Sequence, residues 1–236
     1  MANWKELEKL FAARLSMGRR PVAIAFLDAE PAGISKFSGT EPAGCSFWRL
    51  AAAGQTFYTV PADHFNCAVG AYTHNIQLPP ERVDETEATL GLMFNLGYVR
   101  PEEVPVIPRL PKEPVAVVFA PLADTPVAPS VVLFTVRDSS AMLLNEASIR
   151  AGASASLPLL GRPSCMALPA ALAHGTVTSL GCIGNRVYTN LEADEIYMVV
   201  PGSKLEAVSD ALGIIVSANS ALEEYARGRQ ASLSTA

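Results

Sequence analysis

The four cysteines of this 236-residue chain fall into two matching sequence frames. Cys45 and Cys67 stand in the first frame, and Cys165 and Cys182 stand in the second. The offset between the frames is 120 residues at the first cysteine, 115 at the second, and 116 at the Tyr-Thr pair that follows each second cysteine. Matches at one nearly constant offset indicate an internal duplication. The chain is therefore expected to fold into two similar halves.

The halves also share strand and helix signals. An apolar run rich in β-branched residues at 21–27 is repeated 93 residues later at 114–120. Next to the first cysteine of each frame, an Ala/Leu-rich segment ends at Gly54 or Gly175, and glycine readily takes the left-handed conformation that ends a helix. These signals predict a first half at 1–100, a proline-rich joint at 101–113 and a second half at 114–236. We expect both halves to be fused as one compact unit.

Longer patterns complete the prediction. Helical spacing of apolar residues indicates helices over 84–96 and from 203 to about 227. The second half has extra residues before its first cysteine, and a strand at 131–136 with a helix at 139–150 accounts for them. Strands that alternate with helices predict an α/β or α+β fold, with sheets covered by helices and the halves related by a pseudo-twofold axis.

Composition excludes several classes of protein. Half of the residues are apolar, 17% are charged and the net charge is −5, with no Lys/Arg-rich stretch, so nucleic acid is not an expected partner. The longest apolar run, 115–123, is too short to cross a membrane. The first 14 residues read as an amphipathic helix, unlike a signal peptide, so we predict a cytoplasmic protein without a membrane partner. Thiols stay reduced there, which favours metal binding or catalysis over disulfides.

The repeated cysteines predict a metal site. A pseudo-twofold axis brings Cys45, Cys67, Cys165 and Cys182 to the interface of the halves, and four thiolates are the ligand set of an iron–sulfur cluster or of structural zinc. The spacings of 22 and 17 residues match no local metal motif, so this prediction rests on the repeat. The favoured interpretation is a [4Fe–4S] protein with a redox or small-ligand role. Its partner would be an electron-transfer protein or a small-molecule ligand.

Residues beside the cysteines complete the predicted cofactor site. An arginine lies within four residues of three cysteines, at Arg49, Arg162 and Arg186, and would offset the charge of a cluster. The alternative is that these arginines cap helices or hold carboxylates. Gly70 and Gly184 would allow close backbone approach, and Asn185 is included as a cofactor-binding residue.

Histidine leaves the chemistry open. His64 stands three residues before Cys67, where it would act as a proton donor or an extra ligand. A haem protein with Cys or His axial ligands is a second hypothesis, and a non-enzymatic protein with zinc-bound or ligand-binding cysteines is a third. Packing is a further alternative, because free cysteine behaves as a small buried hydrophobe.

Long segments resemble a known family. They are Cys-Ser-Phe-Trp-Arg-Leu-Ala from Cys45, Asp-His-Phe-Asn-Cys-Ala-Val-Gly-Ala-Tyr-Thr-His from Asp63, Gly-Arg-Pro-Ser-Cys-Met-Ala-Leu-Pro from Gly161 and Gly-Cys-Ile-Gly-Asn-Arg-Val-Tyr-Thr from Gly181. Together they resemble the ArCR-type family of bacterial and archaeal proteins, also called domain of unknown function 169. The resemblance covers nearly the whole chain and implies no particular activity.

Overall fold

Six apolar strands form one open antiparallel sheet. The computed structural model describes residues 3–153 and 159–234, except for the side chains of 231, 232 and 234. The strand order in the sheet is β2-β3-β1-β4-β6-β5. The strands are β1 (Val22–Leu27), β2 (Phe57–Thr59), β3 (Ala116–Pro121), β4 (Val131–Val136), β5 (Val177–Ser179) and β6 (Ile196–Pro201). All residues of β3 and β4 are buried, because both faces of the sheet are covered, and such strands read as continuous apolar runs.

Eight helices accompany the sheet. They are α1 (Trp4–Arg14), α2 (Ser46–Ala52), α3 (Ala68–Thr73), α4 (Pro80–Asn95), α5 (Asp138–Arg150), α6 (Ala167–His174), α7 (Ile183–Thr189) and α8 (Leu205–Ser234) among the described residues. Alternate residues of the strands point to opposite faces. On one face, Ala23, Val132 and Met198 join the core formed with α1, α5 and α8. On the other face, Ile24 and Val199 join the core formed with α2 and α6, and the cysteines lie on this side.

The sheet is arranged symmetrically about its central pair. β1 pairs antiparallel with β4, with Val22 opposite Leu133. On each side of this pair the next strand outward is β3 or β6, and the edge strand is β2 or β5. β4 therefore occupies the position that corresponds to β1, and the run at 116–121 belongs to the same side of the sheet as β1. The mixed helix and strand fold is confirmed, whereas the duplication and the boundaries between the halves stay predictions.

Helix α8 is unusually long and apolar. Within the described residues, the stretch Gly202–Gln230 has the length and hydropathy of a membrane-crossing helix, a test that core helices also pass. Its beginning is such a core helix, because Leu205, Val208 and Leu212 are fully buried against the sheet. Cytoplasmic location stays a prediction.

Candidate functional site

Each cysteine lies at or near the beginning of a helix on the same face of the sheet. Cys45 precedes α2, Cys67 precedes α3 and Cys182 precedes α7. Cys165 lies in a short 3-10 turn that leads into α6. Helix α2 contacts α7, and α3 contacts the turn that carries Cys165, so the two frames meet here.

The four thiols are electrostatic neighbours, and burial favours the protonated form of three of them. Burial raises the pKa of the Cys45 thiol to about 12, with further contributions from Cys67 and Cys182. Burial also raises the pKa of the Cys67 thiol, and it raises that of Cys165 well above its ordinary value, with smaller contributions from the other three cysteines. Because the thiolate is the reactive form, these three thiols are poor nucleophiles at neutral pH.

The thiols have partners within the protein. The backbone N–H of Gly70 donates to the Cys67 sulfur at 3.3 Å, which caps α3. The Cys165 thiol donates to the Val69 carbonyl at 3.8 Å. The Cys165 thiol is thus held against the backbone of α3.

The predicted metal centre is corrected by this arrangement. Throughout residues 3–153 and 159–234, no group of three or more His, Cys, Asp or Glu side chains is placed to hold a metal ion. The prediction that function rests on an iron–sulfur cluster at Cys45, Cys67, Cys165 and Cys182, or on zinc in its place, is therefore wrong. The haem alternative needs only one or two axial ligands and stays a prediction.

Two histidines flank the thiols from the first half of the chain. The rings of His64 and His74 lie 5.7 Å apart between centroids, and both residues are 1% exposed. Burial lowers the pKa of His64 to about 3 and that of His74 to about 4. His64 is thus neutral at physiological pH and lacks the extra proton that a general acid gives away.

Several polar atoms around these rings have no hydrogen-bond partner. Nε2 of His64 lies 2.8 Å from the Thr59 hydroxyl, but its Nδ1 is unpartnered among the described residues, as are both ring nitrogens of His74. In α2, Ser46 Oγ and Trp48 Nε1 are likewise buried without partners. Such groups are rare in folded proteins, and each one costs about 1–3 kcal/mol.

Asn185 extends the same set from the second half. Its amide adjoins the Cys45 thiol and the Tyr197 hydroxyl and influences the pKa of both groups. Neither contact has the geometry of a hydrogen bond, so both amide atoms of Asn185 are buried and unpartnered within the described part of the chain. The Trp48 ring packs against Tyr197 at 5.5 Å. The first turn of α2 therefore lies between the imidazoles and the amide.

The predicted arginines are engaged elsewhere. Arg49 lies 3.9 Å from Glu41, and Arg162 pairs with Glu103 at 3.1 Å and stacks on the Tyr98 ring. Arg186 donates to the carbonyls of Leu180, Glu192 and Glu195, and so holds the chain around α7 in place. These contacts match the structural alternative, in which the arginines pair with carboxylates or hold the backbone.

The two predicted glycines differ. A Cβ at Gly70 would lie 3.0 Å from the Cys67 sulfur, so this position requires close backbone approach. At Gly184 the nearest atom would lie 3.9 Å away, in ordinary contact. Only Gly70 is constrained by the site.

The groups of this region whose pKa is shifted by burial are uncharged at neutral pH: the two imidazoles, the thiols of Cys45, Cys67 and Cys165, and the Tyr197 hydroxyl, whose pKa is raised to about 12. Arg19 is a cation that acts on Tyr197, and its charge is paired with Glu195 at 3.1 Å. His74 and Tyr197 were not among the predicted site residues. The only signal for His74 was its place seven residues after Cys67, and nothing near Tyr197 in the sequence marked that residue.

Comparison with known proteins places the chain among its relatives. It is 27% identical over 178 residues to the uncharacterized protein MJ0308 of Methanocaldococcus jannaschii, an alignment that covers 71% of this chain and 75% of that protein. No solved structure matches. The model of the uncharacterised ArCR family matches residues 11–211, which include all four cysteines and every strand of the sheet. The chain is therefore a member of the ArCR family, domain of unknown function 169.

Proposed function

We propose that the protein binds a small uncharged molecule that carries an amide group, beside Asn185 where α2 and α7 are in contact. The observation that carries the proposal is the buried amide of Asn185, both atoms of which have no hydrogen-bond partner among the described residues. The buried atoms of Ser46, Trp48, His64 and His74 that likewise have no partner in this part of the chain lie on α2 or beyond it.

Because the imidazoles and the buried thiols are neutral, an uncharged ligand is favoured over a charged one. A charged ligand loses its hydration on burial and would find no counter-charge among the neutral imidazoles and protonated thiols. An uncharged ligand with its own donor and acceptor avoids this cost. The N–H₂ of Asn185, unpartnered among the described residues, can donate to the C=O of a ligand amide, and its C=O can accept from the N–H of that amide.

The lining is of the kind found in small-molecule sites. The Trp48 ring packs against Tyr197 at 5.5 Å, so an apolar ring borders the polar atoms beside Asn185.

Matched probe molecules test the proposal. Nicotinamide and nicotinate have the same ring, but nicotinamide carries an uncharged amide where nicotinate carries a carboxylate. We expect nicotinamide to raise the melting temperature of the full chain in a saturable way at pH 7, and nicotinate to leave it unchanged. At a ligand concentration one hundred times its Kd, the expected stabilisation is about 2.7 kcal/mol.

Two variants locate the effect. Asn185→Leu removes the amide while keeping the side-chain size, so the response to nicotinamide should be lost. Ser209→Ala removes a buried unpartnered hydroxyl on α8, whose core is on the opposite face of the sheet, and should keep the response. No response to nicotinamide, or an equal response in Asn185→Leu, would contradict the proposal.

A further inference from the structure

An arm of the chain, residues 78–106, lies outside the hydrophobic cores of the protein. Both of its ends are fixed near the end of α3: the N–H of Gln77 donates to the Glu113 carboxylate at 2.7 Å, and the N–H of Leu110 donates to the Thr73 carbonyl at 2.9 Å. Between these ends, α4 has no buried residue. Among the described residues, no apolar side chain of the arm joins any of the three cores. The position of the arm therefore depends on its polar contacts.

Two side chains of the body of the protein hold the second half of the arm. Arg162 pairs with Glu103 at 3.1 Å and stacks on the Tyr98 ring, with 4.9 Å between the guanidinium carbon and the ring centroid. The Tyr72 hydroxyl donates to the Val104 carbonyl at 3.1 Å. Over the part of the chain that the structure describes, these are the polar contacts that join the arm to the body.

The two points of attachment lie on either side of the contact between α3 and the turn that carries Cys165. Tyr72 follows Val69 by three residues on α3, and the Val69 carbonyl accepts from the Cys165 thiol at 3.8 Å. On the other side, Arg162 precedes Cys165 by three residues. The stretch 98–104 therefore forms a strap across the junction between α3 and this turn.

The contacts of the strap are of a kind that opens more easily than the fold as a whole. Exposed ion pairs and cation–π contacts stabilise weakly, and the Arg162 side chain is 41% exposed. A helix gains most of its stability from packing, which α4 lacks. Segments with few buried apolar contacts open at a lower free energy than global unfolding requires. We propose that the arm is a cover held closed by the strap, and that its opening controls access to the Cys165 thiol.

Hydrogen exchange and alkylation by iodoacetamide, both followed by peptide mass spectrometry on the full chain, test the proposal. Arg162→Ala removes the ion pair and the cation–π contact, so exchange in the arm should become faster. Alkylation of Cys165 should become about five- to thirtyfold faster, the change that the loss of such contacts makes in an opening equilibrium. Arg82→Ala is the matched control, because Arg82 pairs with Glu85 inside the arm, and it should leave the rate at Cys165 unchanged.

A second variant and an internal reference separate opening of the arm from general unfolding. Glu103→Gln removes only the ion pair, so a smaller increase at Cys165 is expected. The buried Cys45 should keep its alkylation rate in both variants. Equal acceleration at Cys45 and Cys165 would show that the whole fold opens and would overturn the proposal. An unchanged rate at Cys165 in Arg162→Ala would also overturn it, whether or not exchange in the arm becomes faster.

Discussion

Burial keeps the imidazole rings of His64 and His74 uncharged at neutral pH. Burial lowers the pKa of these imidazoles to about 3 and about 4, below the ordinary value of 6.5. Below pH 6.5 the unfolded chain therefore binds more protons than the folded chain. The stability contributed by the two neutral rings is fully present above pH 6.5 and is lost as the pH falls towards 4 and 3.

We expect the free energy of unfolding to fall by about 2 kcal/mol per histidine between pH 6.5 and pH 5, because each pH unit corresponds to about 1.4 kcal/mol per proton. Urea unfolding at a series of pH values measures this. The variant His74→Phe should show about half the dependence. His174→Gln, at an exposed histidine, should behave like the natural chain, and a flat pH profile of the natural chain would contradict the assigned pKa values.

At the scale of elements, α3 and α7 take corresponding places after the second cysteine of each frame but differ at one glycine. In α3, a Cβ at Gly70 would approach the Cys67 sulfur to 3.0 Å, whereas in α7 a Cβ at Gly184 meets nothing closer than 3.9 Å. The sulfur of Cys67 therefore restricts the residue type that α3 accepts, and the beginning of α7 is free of that restriction.

Gly70→Ala should lower the free energy of unfolding by about 1–3 kcal/mol, because the added methyl group is forced against the sulfur. Gly184→Ala is the matched control and should stabilise α7 by about 0.5–1 kcal/mol. Thermal unfolding of each variant gives both values. The double variant Cys67→Ala/Gly70→Ala removes the close contact, so its loss should be smaller than the sum of the two single losses. If the loss in the double variant equals the sum of the two single losses, the contact between the Gly70 position and the Cys67 sulfur does not affect stability.

How far the sequence predicts the fold depends on element length. The strand expected at 131–136 is β4 with the same bounds, and the helix expected at 139–150 begins one residue earlier as α5. Strand β4 reads as a continuous apolar run, and α5 has 13 residues, enough for a helical period to show. Helices α3 and α7 have six and seven residues, too few for a helical period to stand out, and they were not predicted. β6 was also missed, although its run at 196–201 is apolar.

At the scale of the whole molecule, the repeated frames predict one shared site for the four cysteines, and that location stays a prediction. The cysteines interact electrostatically, but among the described residues they form no metal-binding group. Their chemistry depends on contacts between distant parts of the chain. Cys165, for example, meets the carbonyl of Val69, 96 residues away. No local pattern reports such a contact.

The proposed site lies where distant parts of the chain meet, so its polar atoms bear on the stability of the whole fold. Asn185 of α7 adjoins Cys45, which precedes α2. A ligand that pairs with this amide would remove the cost of the unpaired groups that the free protein carries. Binding and stability are therefore in opposition at Asn185.

The free energy of unfolding of Asn185→Leu, measured by urea titration without ligand, tests the central claim most directly. If the amide is unpartnered, replacing it with an apolar side chain of similar size should stabilise the protein by about 1 kcal/mol. A loss of 1 kcal/mol or more would show that the amide already makes hydrogen bonds in the free protein, and would contradict the proposed ligand site.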